Sequence, residues 1–238
     1  SAQVRVEYKG EVWVASGDYK VQDDGFTPAF EPVRCHGFIS ETTFGLPVYR
    51  WEKPEVVMDE INRWWAKNAS EGRPSLIMAY ALGKAQRVLA GVDHSIGPVM
   101  THGAVENVNE AFRAEGWKLP ASIRISPAHS KSDFSKALVI APGSAVGSPW
   151  AKKLGNYSLG IASGWMNLRG ARRRRAADRG FVLSDHADWD GLNSAIRATG
   201  AEKVVLTHGY TDTFARWLRT QGLDARVEQT GFEAEEAE

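Results

Sequence analysis

Short apolar runs alternate with amphipathic stretches along most of the chain, a pattern typical of α/β proteins. In the clearest example, apolar runs at 181–183 and 204–206 flank a stretch with helical spacing that stops at Gly200. This pattern predicts strand, helix, strand, with His186 and His208 just beyond the carboxyl ends of the strands. Ligands bind at that edge of open α/β sheets. Two unrelated loop histidines remain the alternative, because spacing alone does not separate the two interpretations.

Two earlier apolar segments each lead to a carboxylate. A predicted hairpin over residues 3–15 is followed by Asp18, and the run 35–39 is followed by Glu41. An aspartate after a strand and a glycine usually forms a turn, and for Asp18 alone that is the better interpretation. Together with the two histidines, however, these residues place polar groups at four strand ends, which indicates the rim of one site.

Lys84 and two serines of the middle segment are candidates for binding phosphate. A strand is predicted over 75–80, and Lys84 follows a glycine at the start of the next helix, where free backbone N–H groups can hold an anion. The surrounding residues do not form a Walker motif. The loop 142–149 contributes Ser144 and Ser148, although a tight turn into a helix is the commoner explanation for such a loop.

The distribution of charged residues along the chain is more informative about binding partners than the net charge. The chain has 238 residues, with 29 Lys and Arg against 29 Asp and Glu, so the net charge indicates no partner. Six arginines nevertheless fall between residues 169 and 179, and the end of the chain is acidic. A charge run is usually a solvated face. Because glycine-rich turns flank this one, we predict that Arg169, Arg172 and Arg173 bind phosphates.

The compartment and the extent of the chain are further expectations. Cys35 is the single cysteine, which excludes an intramolecular disulfide and suits a reducing compartment, so a cytoplasmic protein is expected. No apolar run approaches the length of a membrane span, and no membrane partner is expected. The chain starts at Ser1 without a methionine, so we expect a fragment of a longer protein.

Four short motifs resemble, in order, those of the β-CASP branch of the metallo-β-lactamase superfamily, whose members cut DNA or RNA. They are Asp18 in Ser-Gly-Asp, Glu41 in Ser-Glu-Thr-Thr-Phe-Gly, His186 in Ser-Asp-His-Ala-Asp, and His208 in Leu-Thr-His-Gly. Segments 81–86, 147–150 and 163–166 are also similar to family motifs. The arginine-rich stretch ahead of His186 is most similar to that of bacterial ligase-associated DNA exonucleases.

The chain departs from this family in its metal-binding motifs. The His-x-His-x-Asp-His loop and the later histidine ahead of Gly-Ser are absent. The resemblance therefore implies the carboxyl-terminal part of such an enzyme, cut inside its catalytic core. The implied fold class is α/β. A partial metallo-β-lactamase αββα sandwich would comprise residues 1–50 and 178–238, with an inserted β-CASP domain at 51–177.

The resemblance also implies roles for individual residues. Asp18 would bridge two zinc ions, with manganese as the alternative metal, and His208 would bind one of them. His186 would protonate the leaving oxygen, and Glu41 would orient His186, so that Asp18, Glu41 and His186 are the implied catalytic residues. Lys84, Ser144, Ser148 and the arginines would hold flanking phosphates. Because two ligands fall short of a zinc site, we expect weak or absent metal binding and no efficient catalysis from this chain alone.

The implied activity is hydrolysis of DNA phosphodiester bonds by an exonuclease of DNA repair, with a DNA ligase as functional partner. Three alternatives stay open. One is an RNA-cutting member of the same branch, which would use the same residues. Another is a serine hydrolase using Ser184 or Ser144 with His186, although a Gly-x-Ser-x-Gly motif is missing. The third is a non-catalytic module that binds nucleic acid through its arginines and Lys84.

Overall fold

The structure is a computed structural model, and it describes residues 2–25, 27–28, 30–168, 170 and 177–229. The strands are β1 (Val4–Tyr8), β2 (Glu11–Ala15), β3 (Gly37–Thr42), β4 (Ser75–Met78), β5 (Val99–Thr101), β6 (Ile123–Arg124), β7 (Leu138–Ala141), β8 (Ser158–Ala162), β9 (Arg179–Phe181), β10 (Lys203–Gly209) and β11 (Asp224–Val227). The helices are α1 (Pro54–Ser70), α2 (Lys84–Gly91), α3 (Gly103–Ala114), α4 (Pro149–Lys152), α5 (Trp189–Thr199) and α6 (Thr211–Thr220). The fold is thus mixed α/β, as the sequence pattern predicts.

The chain divides into two compact units. The first combines residues 1–51 and 185–238, and the second is the continuous segment 52–184. The two units have separate sheets and separate hydrophobic cores. Within the described part of the chain, no helix has both the length and the apolar character needed to cross a membrane.

The first unit is built on a mixed sheet with the strand order β1-β2-β3-β10-β11. The predicted hairpin is confirmed, since β1 and β2 pair antiparallel, and the other neighbours pair parallel. Alternate residues of the inner strands point into a core shared with α5 and α6, as period-two patterning requires. This core includes Val14, Phe38, Leu192, Ile196, Leu206 and Phe214. On β1, in contrast, Val4, Val6 and Tyr8 are all exposed.

The second unit is built on a parallel sheet with the strand order β6-β5-β7-β4-β8-β9. Strand β7 reads Leu-Val-Ile-Ala and all four residues are buried, which is the composition of a strand covered on both faces. Helix α1 starts at Pro54, which suits a first helical position, and buries Ile61 and Trp65. These residues pack with Ile77, Leu89 and Ile140 in one core.

The structure differs from the predicted organisation at one place. The return to the first unit is predicted at residue 178, which would place the run at 181–183 in that unit. The structure instead pairs β9 in parallel with β8, so this short strand belongs to the sheet of the second unit. The returning segment of the first unit therefore begins at residue 185.

Candidate active site

Glu41 is a buried carboxylate near the end of β3, with a side chain that is 1% exposed. The backbone amide of Tyr19 donates to its Oε1, and the amide of Thr43 donates to its Oε2, both at 3.2 Å. The Nδ1 atom of His186 lies 3.0 Å from Oε1 and 2.9 Å from Oε2. The charge is therefore stabilised by two amides and directed at one imidazole, although Glu41 and His186 are 145 residues apart in sequence.

His186 is held through its ring and through its backbone. Its carbonyl accepts a hydrogen bond of 3.0 Å from Nε1 of Trp51. The ring of Phe44 packs edge-on against the imidazole, with 5.9 Å between the ring centroids. The side chain of His186 is 24% exposed. Because Nδ1 faces Glu41, Nε2 is the ring nitrogen directed away from that carboxylate. This geometry sets the orientation of a partly accessible imidazole.

Asp188 anchors the segment that carries His186. Its Oδ1 accepts from the amide of Gly191 at 2.8 Å, which caps the start of α5. Its Oδ2 accepts from the amide of Trp51 at 2.9 Å. The amide of Trp189 adds a hydrogen bond of 3.1 Å to the carbonyl of Tyr49. The loop is thus attached to residues 49–51 on one side and to a helix terminus on the other.

Asp18 brings a second carboxylate to this place. It follows Gly17, whose positive φ of 57° turns the chain after β2, and it is exposed. Ligand atoms of Asp18, Glu41 and His186 all lie within 4.8 Å of one another. The structure therefore brings together three of the four residues that the strand ends single out, two of them acidic and one of them an imidazole.

His208, the fourth residue, lies in a β-bulge where the pairing of β10 with β3 shifts between Thr207 and Gly209. Its backbone has a positive φ of 59°, and its carbonyl accepts a short hydrogen bond from Oγ1 of Thr42. Among the described residues, His208 is not a member of the group formed by Asp18 and its neighbours. Sharing of a metal between Asp18 and His208 stays a prediction.

The donors near Asp18 do not by themselves fit a two-zinc centre. A tetrahedral zinc site needs four ligands, or three with a water. The described residues supply one such group of three, and both oxygens of its Glu41 already accept hydrogen bonds from backbone amides. Among the described residues, the arrangement that is complete at this place is therefore the Glu41–His186 pair.

The predicted phosphate-binding residues of the second unit have varied surroundings. Lys84 is only 4% exposed, and its Nζ lies 4.2 Å from the ring centroid of Tyr80, so this placement does not present it as a surface cation. Ser148 caps α4, donates to the carbonyl of Ala145 at 2.6 Å, and is engaged locally. Ser144 is exposed in the turn after β7. The predicted sites Arg169, Arg172 and Arg173 lie outside the described residues.

The residues that hold His186 in place are not among those predicted from the sequence. Asp188 carried a usable signal, since an aspartate ahead of an amphipathic run is a preferred helix N-cap. Trp51, Phe44 and the amide of Tyr19 carried none, because their contacts join segments that are distant in the chain.

No protein-family model matches the chain. A relative named "Probable DNA ligase" from Opitutus terrae is 27% identical over 210 residues, which are 88% of this chain but 20% of that protein. The chain therefore spans about a fifth of the length of that relative.

Among solved structures, the crystal structure of a protein of unknown function from Enterococcus faecalis V583 superposes with a TM-score of 0.59. The match covers 97% of this chain and 59% of the other, at 12% sequence identity. Likeness at this identity concerns the fold alone, and it agrees with a mixed α/β architecture.

Proposed function

We propose that this chain carries part of the active site of a β-CASP-type nuclease, in which His186 protonates the leaving oxygen of a DNA phosphodiester. The observation that carries the proposal is the pairing of a buried Glu41 with Nδ1 of His186 at 2.9 and 3.0 Å. A buried carboxylate directed at a partly exposed imidazole is an arrangement suited to general acid and base chemistry.

The step assigned to His186 follows from the ring nitrogen that faces Glu41. When Nδ1–H donates to Glu41, the protonated ring holds its second proton on Nε2, directed away from Glu41. As hydroxide forms a new bond to phosphorus and the bond between phosphorus and the leaving oxygen breaks, that leaving oxygen takes the Nε2 proton and departs as a hydroxyl. The ring is left neutral with its remaining proton on Nδ1. Such a step typically contributes about 10²- to 10⁴-fold in rate.

The remaining parts of the proposed enzyme come from the family resemblance. In this proposal it uses two zinc ions, or manganese, with Asp18 and His208 as ligands, and the described residues leave that donor set incomplete. The first unit would be a partial metallo-β-lactamase sandwich and the second unit the β-CASP domain. The name of the relative, a probable DNA ligase, favours DNA as the substrate. The role in repair and the ligase as functional partner are taken from the family resemblance.

The proposal is tested with the protein from the complete reading frame, on end-labelled single-stranded DNA and RNA, with added zinc or manganese. His186→Ala should lower the cleavage rate by at least about 10²-fold. Glu41→Gln should lower it by about 10- to 100-fold, because an amide cannot accept from Nδ1 with the same charge. A surface carboxylate variant, Glu11→Gln, is the matched control and should cleave normally, since Glu11 is half-exposed. Normal cleavage by His186→Ala would refute the assigned role, and faster cleavage of RNA would change the substrate.

A non-catalytic nucleic-acid-binding module is the second candidate, and the incomplete donor set around Asp18 favours it. In the same experiment this candidate predicts that neither the parent protein nor His186→Ala cuts, while both bind DNA with an affinity that falls as salt is raised.

A further inference from the structure

The carboxyl edge of the parallel sheet in the second unit has the topology of a ligand-binding crevice. Strands β4 and β7 are neighbours in this sheet, with Met78 paired to Ala141 at their ends. The chain leaving β4 runs to β5 on one side, whereas the chain leaving β7 runs to β8 on the other. Helix α2 of the first connection packs with Ile77 and Ile140, whereas α4 of the second connection packs with Val139 and Ala141. The two loops therefore leave this edge toward opposite faces of the sheet, and such an edge is where open α/β sheets bind ligands.

The loop after β4 exposes two large side chains at this point. Tyr80 is 64% exposed and Leu82 is 66% exposed. In the neighbouring loop after β7, Ser144 is also exposed. The edge therefore presents an aromatic ring and an aliphatic side chain to solvent, next to a loop that carries a hydroxyl.

The backbone of this loop is fixed from beneath by Gln86, which is fully buried. The Gln86 amide oxygen accepts from the amide of Gly83 at 2.7 Å, and its Nε2 donates to the carbonyl of Ala81 at 3.0 Å. The same Nε2 donates to Oδ1 of Asn109 on α3 at 2.8 Å. The amide of Ala85 also donates to the carbonyl of Tyr80 at 3.1 Å. Tyr80 is thus displayed by a rigid loop.

Lys84 fixes the ring itself. Its ammonium group lies 4.2 Å from the ring centroid of Tyr80, within the range of a cation–π interaction. Since Lys84 is buried and Tyr80 is largely exposed, the cation supports the ring from the protein side. A ring with one face held by a cation and substantial exposed area is preorganised to stack with a flat aromatic ligand.

We propose that Tyr80 is a stacking platform for an unpaired base of single-stranded nucleic acid, with Leu82 extending the contact. This inference rests on the proposed function for the class of ligand. Stacking on an exposed aromatic side chain is how single strands are held without sequence preference. Two exposed side chains are too few for a stable protein interface, which commonly takes 20–30 residues a side.

The experiment measures binding of a fluorescein-labelled oligothymidylate to the full chain by anisotropy, with EDTA present to prevent metal-dependent cleavage. Tyr80→Ala should weaken binding by about 5- to 100-fold, whereas Tyr80→Phe should remain within about twofold. The slope of affinity against salt should not change, because no phosphate contact is removed. Tyr8→Ala is the matched control, since Tyr8 is 71% exposed on β1 of the other unit, and it should bind normally.

A cycle with abasic nucleotides tests stacking directly. One base at a time is removed from the oligonucleotide. For the parent chain, removal at one position should weaken binding, and for Tyr80→Ala removal at that same position should leave the affinity almost unchanged. Equal affinity of Tyr80→Ala and the parent chain, additive losses at every position, or no binding at all would overturn the platform. A change in the salt slope on Tyr80→Ala would do the same.

This test separates the platform from the proposed function. Tyr80-dependent binding without cleavage by the complete protein would leave the platform standing and refute the nuclease. If cleavage requires His186 but binding is the same with and without the Tyr80 side chain, the stacking platform is refuted and the nuclease proposal stands.

Discussion

At the scale of single residues, two buried glutamates show how partners decide what a carboxylate does. Glu41 faces an imidazole that is partly exposed. Glu106, on α3, is instead enclosed by donors from its own unit. They are Thr101 (2.6 Å), Asn109 (3.0 Å), Ser122 (2.7 Å) and Arg113 (2.8 Å). The first arrangement suits proton transfer, and the second stabilises the fold.

Stability should therefore depend on Glu106 and on pH. Burial by itself raises the pKa of Glu106, but its hydrogen bonds outweigh burial and lower the pKa to about 2, below the ordinary 4.5. Because the folded-state pKa is depressed, the stabilisation is present above pH 4.5 and is lost as the pH falls from about 4.5 to about 2. Glu106→Gln should lower the free energy of unfolding at pH 7 by about 2–3 kcal/mol, with a much smaller loss near pH 2.5.

Urea unfolding followed by tryptophan fluorescence at several pH values measures this difference. Glu110→Gln is the control, because Glu110 forms an exposed pair with Arg124 and such pairs contribute about 0–1 kcal/mol. An equal loss for Glu106→Gln at pH 7 and at acid pH would contradict the charge-based explanation.

At the scale of elements, a β-bulge at the end of β10 positions His208, the predicted metal ligand. The pairing with β3 shifts after Thr207, and His208 takes up a positive φ. Gly209 follows with φ of 78°, and a Cβ placed there would lie 2.4 Å from the carbonyl oxygen of Thr42. Close backbone packing and positive φ therefore both require glycine beside His208.

Two glycine substitutions separate these requirements. Gly222, just after α6, has a positive φ of 86°, and a Cβ placed there would have no atom within 4 Å. Gly222→Ala should therefore lower the free energy of unfolding by about 1 kcal/mol, through the backbone conformation alone. Gly209→Ala adds a steric overlap with the backbone of Thr42 and should lower the free energy of unfolding by about 2–4 kcal/mol. Thermal unfolding of both variants beside the parent gives the comparison. Similar losses would mean that the bulge relaxes around the added methyl group.

At the scale of the whole molecule, the two units differ in how the chain builds them. The second unit is one continuous segment with its own parallel sheet and core. The first unit requires both ends of the described chain, because the parallel pairing of β3 with β10 joins residues 37–42 to residues 203–209. The continuous unit has what an independently folding domain needs.

We expect residues 52–184 expressed alone to fold cooperatively, and residues 1–51 alone to remain unfolded. Circular dichroism and dispersion of amide NMR signals measure both outcomes. A disordered 52–184 segment would show that this unit needs the rest of the chain.

The sequence alone determined the local elements and the candidate residues. Period-two alternation predicted the hairpin of β1 and β2, and helical spacing predicted α5, because these periods are those of a strand and a helix. Polar residues at strand ends singled out Asp18, Glu41 and His186, which the structure brings within 4.8 Å of one another.

The tertiary structure decided which segments meet. The apolar runs at 181–183 and 204–206 both predict strands, yet β9 pairs in the second unit and β10 in the first, because an apolar run does not specify its partner strand. Lys84 was predicted to bind phosphate, but it is buried and its Nζ lies 4.2 Å from the ring centroid of Tyr80. The contact of Glu41 with His186 joins residues 145 positions apart, and distances of that kind are fixed only when both elements are packed.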